Sequence, residues 1–364
     1  MTGFRLAGAR KKLPLLRRTY WRSHHPSGEG IAHRKHVVNA VVGLFSTVGC
    51  FASSNWPASA EFTVDSPLAL TTEALAWGDG DVPPLYFAVA SPSGNVIAAI
   101  PISAREPALV LLTRGEVAYS VRRGSGPGTL TRPTSMVWRG DSIGVVDGGR
   151  RTIALVSPSG VVLAERRMRS PAGVGGTSVH SLGDTWIRTR RGGAVLEFTT
   201  DSAVAGSPIA LPSWFRGELD LVEMSSGRLV GVGTDMPCFF DLNRTGTASL
   251  IGCLPQAISR TFVEARRTFL RNFGRRAERA RPERRSFTLL GELGPEVVAL
   301  RGLAPVLGSF SLAVDLRART VQPLRLSGAV VADSVAVTSY SYSASGQTLA
   351  IGGGTLYLVA RHAH

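Results

Sequence analysis

GDSIGVVDGGRRTIALVSPSG, running from Gly140 to Gly160, is the stretch on which the fold of this chain turns. Two short apolar runs, Ile143 to Val146 and Ile153 to Val156, are split by a Gly-containing turn and closed by Ser157-Pro158-Ser159-Gly160. Short apolar runs bounded by Gly, Pro, Asp and Ser are strands, because a helix needs a longer stretch with apolar residues every three or four positions. The pattern then returns. Gly183-Asp184-Thr185-Trp186 leads to LEFTTDS at an offset of 43 residues, and Gly227-Arg228-Leu229-Val230 leads to Phe239-Phe240-Asp241-Leu242 after a similar interval. Further copies run from Glu296-Val297-Val298-Ala299 to Asp315 and from Thr348-Leu349-Ala350-Ile351 to Val359. An early copy holds Tyr86 to Ala90 and its own SPSG turn, Ser91 to Gly94.

A repeat of about 40 to 45 residues with four short strands has the size of a propeller blade. The fold expected is therefore all-β, a β-propeller of about six four-stranded blades, with five and seven as the neighbouring counts. Trp56 to Pro67 is expected to supply the outer strand that closes the ring onto the C-terminal blade, since an unclosed ring leaves sheet edges unpaired.

Between residues 121 and 165 the repeat becomes more specific. Gly124-Ser125-Gly126-Pro127-Gly128-Thr129-Leu130, then Pro133, then Val145-Val146-Asp147-Gly148-Gly149-Arg150-Arg151 and Val156, resembles one repeat of the NHL and related six-bladed propeller families. Those families show a Gly-rich turn, a Phe, a Pro, an apolar-Asp strand end and a basic residue before the next strand. Leu130 stands where Phe is usual and Gly149 where Asn is usual, and the other blades keep only the strand pattern. The resemblance implies six blades and a loop face used for binding. Because some six-bladed propellers are calcium-assisted lactonases or hydrolases, it also implies an enzymatic alternative, carried by fold analogy alone.

The net charge of +15 is unevenly placed. Residues 1–50 hold nine Lys/Arg against one acid, and the segment from Arg260 to Arg285 holds ten Arg against three Glu. The rest of the chain is close to neutral, so no nucleic-acid partner is expected, since a groove-binding face would spread cations over the fold. The Arg260 to Arg285 segment also interrupts the repeat. Phe262, Phe269, Leu270, Phe273 and Ala277 fall near helical spacing between arginines, which predicts a short helical insertion at 260–285 that packs its Phe face on the propeller or touches an acidic partner or lipid headgroups.

The apolar run from Val37 to Ala52, preceded by His33-Arg34-Lys35-His36, has the order of a secretory signal and is short for a membrane span. Residues 1–60 are accordingly read as a basic leader with a signal peptide, and 61–364 as the propeller domain. Thr47-Val48-Gly49-Cys50 resembles a bacterial lipobox, making Cys50 a lipidation candidate, while Ala58-Ser59-Ala60 fits ordinary signal cleavage. Both remain open, with periplasmic release or a membrane-anchored lipoprotein as the corresponding locations. If Cys50 carries lipid, Cys238 and Cys253 remain as an even pair in an oxidising compartment. A hairpin turn between Thr245 and Gly246 sets the two opposite each other, within reach of a disulfide.

No HExxH, CxxC, GxSxG or Walker loop occurs. His180 with Asp184, and Ser178 or Ser181 nearby, is the only base-and-nucleophile grouping, and three polar residues within seven arise easily in a Ser-rich chain. Asp141, Asp147, Asp184 and Asp241 recur near turns, where Asp bonds its own backbone. No catalytic, cofactor-binding or metal residue is assigned. The expectation is an exported, non-catalytic binding or scaffold protein at the cell envelope, with a protein, peptide or glycan partner and a lipid anchor as its route to the membrane. The calcium-dependent hydrolase is the alternative.

Overall fold

A computed structural model describes residues 60–75, 83–102, 107–113, 116–167, 179–182, 185–189, 196–199, 209–215, 219–234, 236–243, 247–262, 264, 268, 271, 286–304, 308–332 and 335–361. After two N-terminal strands, β1 (Thr63–Val64) and β2 (Leu68–Ala74), the chain lays down one antiparallel sheet after another. The first holds β3 (Leu85–Ala90), β4 (Ile97–Pro101), β5 (Leu109–Thr113) and β6 (Glu116–Val121), and the second β7 (Pro133–Arg139), β8 (Ser142–Asp147), β9 (Thr152–Val156) and β10 (Val162–Arg167). In the third, β11 (Val179–Leu182), β12 (Thr185–Thr189) and β13 (Leu196–Thr199) are described. The fourth holds β14 (Leu219–Glu223), β15 (Leu229–Gly233), β16 (Cys238–Leu242) and β17 (Ala248–Cys253). The fifth holds β18 (Phe287–Gly294), β19 (Val297–Ala304), β20 (Gly308–Asp315) and β21 (Thr320–Gly328), and the sixth β22 (Val337–Tyr342), β23 (Thr348–Gly352) and β24 (Thr355–Arg361).

The first strands of successive sheets touch in a closed circuit, β3 to β7 to β11 to β14 to β18 to β22 and back to β3. This is a six-bladed propeller. Each blade is flanked by two others, so its middle strands are buried on both faces and read as continuous apolar runs: all of Leu229–Gly233 and all of Thr348–Gly352 are buried. The outer strand of blade 1 faces water, and Glu116 to Ser120 are exposed.

Separate apolar clusters fill the spaces between blades. Ile100, Leu109 and Leu111 of blade 1 meet Met136, Trp138 and Ile143 of blade 2. Val232 and Phe239 of blade 4 meet Val298, Leu312 and Val314 of blade 5. Leu349 and Ile351 of blade 6 meet Leu85 and Val110 of blade 1.

Closure differs in detail from the sequence expectation. The strand that completes blade 6 is β2, Leu68–Ala74, which pairs antiparallel with β24, whereas Thr63–Val64, inside the expected 56–67 stretch, pairs parallel with β21 of blade 5. Asp65-Ser66-Pro67 explains the change of course. The Asp65 carboxylate accepts from the Ser66 amide at 2.7 Å, and Pro67 has no amide to continue a ladder. Leu70 and Thr72 then turn inward, at 1% and 2% exposure. Because β2 also runs parallel to the second half of β21, blades 5 and 6 share one continuous sheet.

The SPSG turns seen twice in the sequence belong to a larger set. At Ser91 to Gly94, Ser157 to Gly160 and Ser343 to Gly346, the first Ser hydroxyl contacts the second and accepts from an amide beyond the glycine. In each case the glycine amide bonds back to the first carbonyl. Met224 to Gly227 closes with the same backbone bond. Gly94, Gly160, Gly227 and Gly346 all have φ between 75° and 92°, which is why glycine ends each turn.

The helical insertion starts at residue 256, four residues before the sequence placed it, with Pro255 O accepting from the Ile258 and Ser259 amides at its first turn. Phe262 is 4% exposed, with ring centroids 5.8 Å from Phe287 and 4.2 Å from Phe310, so the first turns of the helix are docked through Phe262. Phe269, Leu270, Phe273 and Ala277 lie outside the described residues.

Candidate binding surfaces

The residues that carry the family resemblance hold one blade together. Asp147, fully buried at the end of β8, accepts from the backbone amides of Thr131 (2.6 Å), Arg132 (2.9 Å), Gly149 (2.9 Å) and Arg150 (3.3 Å). Arg150 then reaches across the Gly-rich turn. Its guanidinium bonds the Gly124 and Gly126 carbonyls and the Thr129 hydroxyl, and pairs with Glu165 of β10 at 2.6 Å. Leu130, in the place of the usual Phe, is fully buried between blades 1 and 2. Four amides on one carboxylate and three loop acceptors on one guanidinium leave neither group free for a ligand.

A second polar cluster joins blades 4 and 5, and the sequence reading missed it. Glu292 on β18 is 4% exposed, and its carboxylate accepts from the Ser225 amide at 2.8 Å and the Ser225 hydroxyl at 3.0 Å. Burial pushes the Glu292 carboxyl up to about 7, with Glu296 adding to the rise, against the two Ser225 hydrogen bonds that favour ionisation. Beside it Arg228 pairs with Glu296 and, at 3.3 Å, with Asp241. A carboxyl near neutrality suits general acid–base catalysis. Here both oxygens are held by Ser225 and water scarcely reaches them, so the group acts as a latch between blades. The sequence signal was the lone acid in the otherwise apolar FTLLGELG.

Cys238 and Cys253 are directly opposite in the β16–β17 ladder and joined by a disulfide. The Asn243 and Thr247 side chains and backbone close that hairpin, and a bulge between Phe239 and Phe240 brings the cysteines into register. Of the other residues considered, Asp141 is exposed in a turn, Asp241 is paired with Arg228, and His180 and Ser181 lie on β11 opposite Ile187 and Trp186. Cys50, Ser178 and Asp184 lie outside the described residues. Among the described residues no three His, Cys, Asp or Glu side chains come together as a metal site requires.

Among the described residues eight large hydrophobic side chains stand open to water, and four of them, Val117, Tyr119, Val161 and Leu163, lie on the outer strands of blades 1 and 2 or the turn between β9 and β10. The turn before β10 meets β6: a Cβ on Gly160 would lie 3.3 Å from the Tyr119 Cβ, so the SPSG turn of blade 2 rests on that strand. The sequence signal is the alternation in EVAYSV, which puts Val117 and Tyr119 on one side of a strand.

No family model and no curated protein matches the chain. Among solved structures it resembles a candidate exported protein of Bacteroides fragilis NCTC 9343, at 10% identity and a TM-score of 0.53, over 84% of this chain and 99% of that one. Virginiamycin B lyase from Staphylococcus aureus aligns at 10% identity and a TM-score of 0.45, over 81% and 89% of the two chains. The C-terminal WD40 domain of Sif2 aligns at 12% identity and a TM-score of 0.40, over 77% and 82%. The likeness to the Bacteroides protein is one of fold, a β-propeller, and carries nothing about a ligand.

Proposed function

We propose that this chain is an exported, non-catalytic binding protein of the cell envelope, an NHL-like propeller that displays its surface to a polypeptide partner. Residues 1–60 serve as its leader, with Cys50 as the lipid-bearing residue, and 61–364 as the binding domain. The observation that carries the binding reading is how the described polar groups are used. Asp147, Arg150, Glu292 and Arg228 are engaged in joining turns and blades, while large apolar side chains stand open on the outer strands of blades 1 and 2. Exposed apolar side chains gathered in one place on a soluble surface mark a contact site. The Cys238–Cys253 disulfide supports an oxidising location.

The test is a thermal-shift titration of the full chain with calcium and EDTA, run beside a lactone and ester hydrolysis screen. The expected result is no EDTA-sensitive turnover and no calcium-dependent rise in melting temperature. A site filled to about a hundredfold over its dissociation constant adds roughly 2.7 kcal/mol, a shift of several degrees. Such a shift together with turnover would replace the binding reading with the hydrolase.

A further inference from the structure

The outer edges of the blades are treated unequally. In blade 6 the edge of β24 is covered by β2, and in blade 5 the edge of β21 is covered along its length by β1 and β2. In blade 4 the edge of β17 is bracketed: the Phe62 amide donates to Cys253 O at 2.9 Å, and Ala210 O accepts from the Ala248 amide at 3.1 Å. The segment 60–74 thus works as a strap over three consecutive blades. Among the described residues no segment pairs with the outer side of β6 in blade 1 or β10 in blade 2.

Open edges are normally blunted by charge, proline or a short strand, because their free amides and carbonyls recruit other chains. β6 is six residues long, contains no proline and a single charge, Glu116 at its first position, and presents Val117 and Tyr119 at 43% and 50% exposure. Next to it Val161 and Leu163 are 55% and 60% exposed. Arg122, just past β6, and Arg167, the last residue of β10, are both exposed. The same molecule already shows an outer edge accepting a strand, since β2 docks in parallel on β21.

We propose that the edge of β6, together with Val161, Leu163 and Arg167 of the next blade, takes an extended acidic segment of a partner polypeptide as an added strand. Backbone bonding to β6 supplies sequence-independent affinity. The side-chain period of two turns apolar residues onto Tyr119 and Leu163, and carboxylates meet Arg122 and Arg167. The assignment rests on the binding reading above and gives it a place and a ligand chemistry.

The test is selection from a random dodecapeptide display library on the full chain, followed by affinity measurement on wild type and a Tyr119→Lys/Leu163→Lys double variant. A retained disulfide and an unchanged melting temperature certify the variant's fold, and Tyr119→Ser/Leu163→Ser replaces it if they do not. Recovered peptides are expected to alternate Asp or Glu with Val, Ile or Phe. Their affinity should fall at least tenfold on the double variant, and again when alternate peptide amides are N-methylated. Peptides that bind wild type and variant equally overturn the rim assignment and leave the binding reading standing. Recovery of basic peptides, or of none, also overturns it. A full chain that sediments as a dimer and is made monomeric by Tyr119→Lys overturns it in favour of a second copy. The binding reading itself fails only in the calcium and hydrolysis assay.

Discussion

At Glu292 water and Ser225 compete for one carboxyl, and burial wins. With its value raised from 4.5 to about 7, the folded protein holds the proton over a range in which the unfolded chain has already released it. Stability contributed by the neutral form is complete below about pH 4.5 and is lost as pH rises through 7, because only the folded state must then bury a negative charge. The loss across that window is about 3 kcal/mol at most. Glu292→Gln keeps an acceptor for the Ser225 amide and cannot ionise. Urea titrations at pH 5 and pH 8 should therefore show wild type losing stability between the two values and the variant unchanged, with the variant the more stable at pH 8. Tyr340 poses the reverse problem. It is 5% exposed, its hydroxyl has no hydrogen-bond partner among the described residues, and burial pushes its ionisation far up while Arg301 opposes the shift. Removing an unsatisfied buried hydroxyl costs little, so Tyr340→Phe should leave the urea midpoint unchanged or raise it. A loss of more than about 1 kcal/mol would show that the hydroxyl is bonded after all.

The strap depends on a close approach that only glycine allows. A Cβ on Gly252 would lie 2.3 Å from the Phe62 ring and 2.9 Å from the Ala60 carbonyl, and Phe62 packs on Phe239 with centroids 5.4 Å apart. Gly252→Ala should lift residues 60–64 off blades 4 and 5. Hydrogen exchange at Thr63 and Asp65, whose amides bond Arg319 O and Val321 O, should quicken, while exchange in β3–β6 stays as in wild type. Unchanged exchange at Thr63 would mean the strap is held from elsewhere. This element also marks the limit of what could be read beforehand. Blade strands were legible because their apolar runs and turn residues are local signals, and the Cys238–Cys253 pairing was legible because a hairpin brings its own ends together. Which N-terminal residues closed the ring was decided by contacts with strands at the other end of the chain, and a local pattern placed the closing strand in the stretch just before β2. The Glu292–Ser225 latch and the blade 1–2 rim left only local traces, the lone acid of FTLLGELG and the alternation of EVAYSV, whose partners appear only when two blades lie side by side.

The whole ring is held by two fastenings of different reach. The disulfide closes a separation of 15 residues within one hairpin of blade 4, so in the chain-entropy account it stabilises by about 3 kcal/mol without linking one blade to another. The strand β2 adds no covalent bond, yet it completes blade 6 with residues from the other end of the chain and seals blade 5. Neighbour-to-neighbour packing around a circuit makes each blade depend on both flanks, so opening the circuit at one point removes the support that makes unfolding all-or-none. Cys238→Ser/Cys253→Ser should therefore shift the urea midpoint down while keeping a single transition of unchanged slope. Deleting residues 60–74 should instead give a broadened transition of lower slope and a tendency to associate through the bared edges of β21 and β24. Adding a synthetic peptide spanning 60–75 in trans should restore the sharp transition. A deletion variant that unfolds as sharply as wild type would place the closure in the blade 6 to blade 1 core of Leu349, Ile351, Leu85 and Val110 rather than in the shared strand.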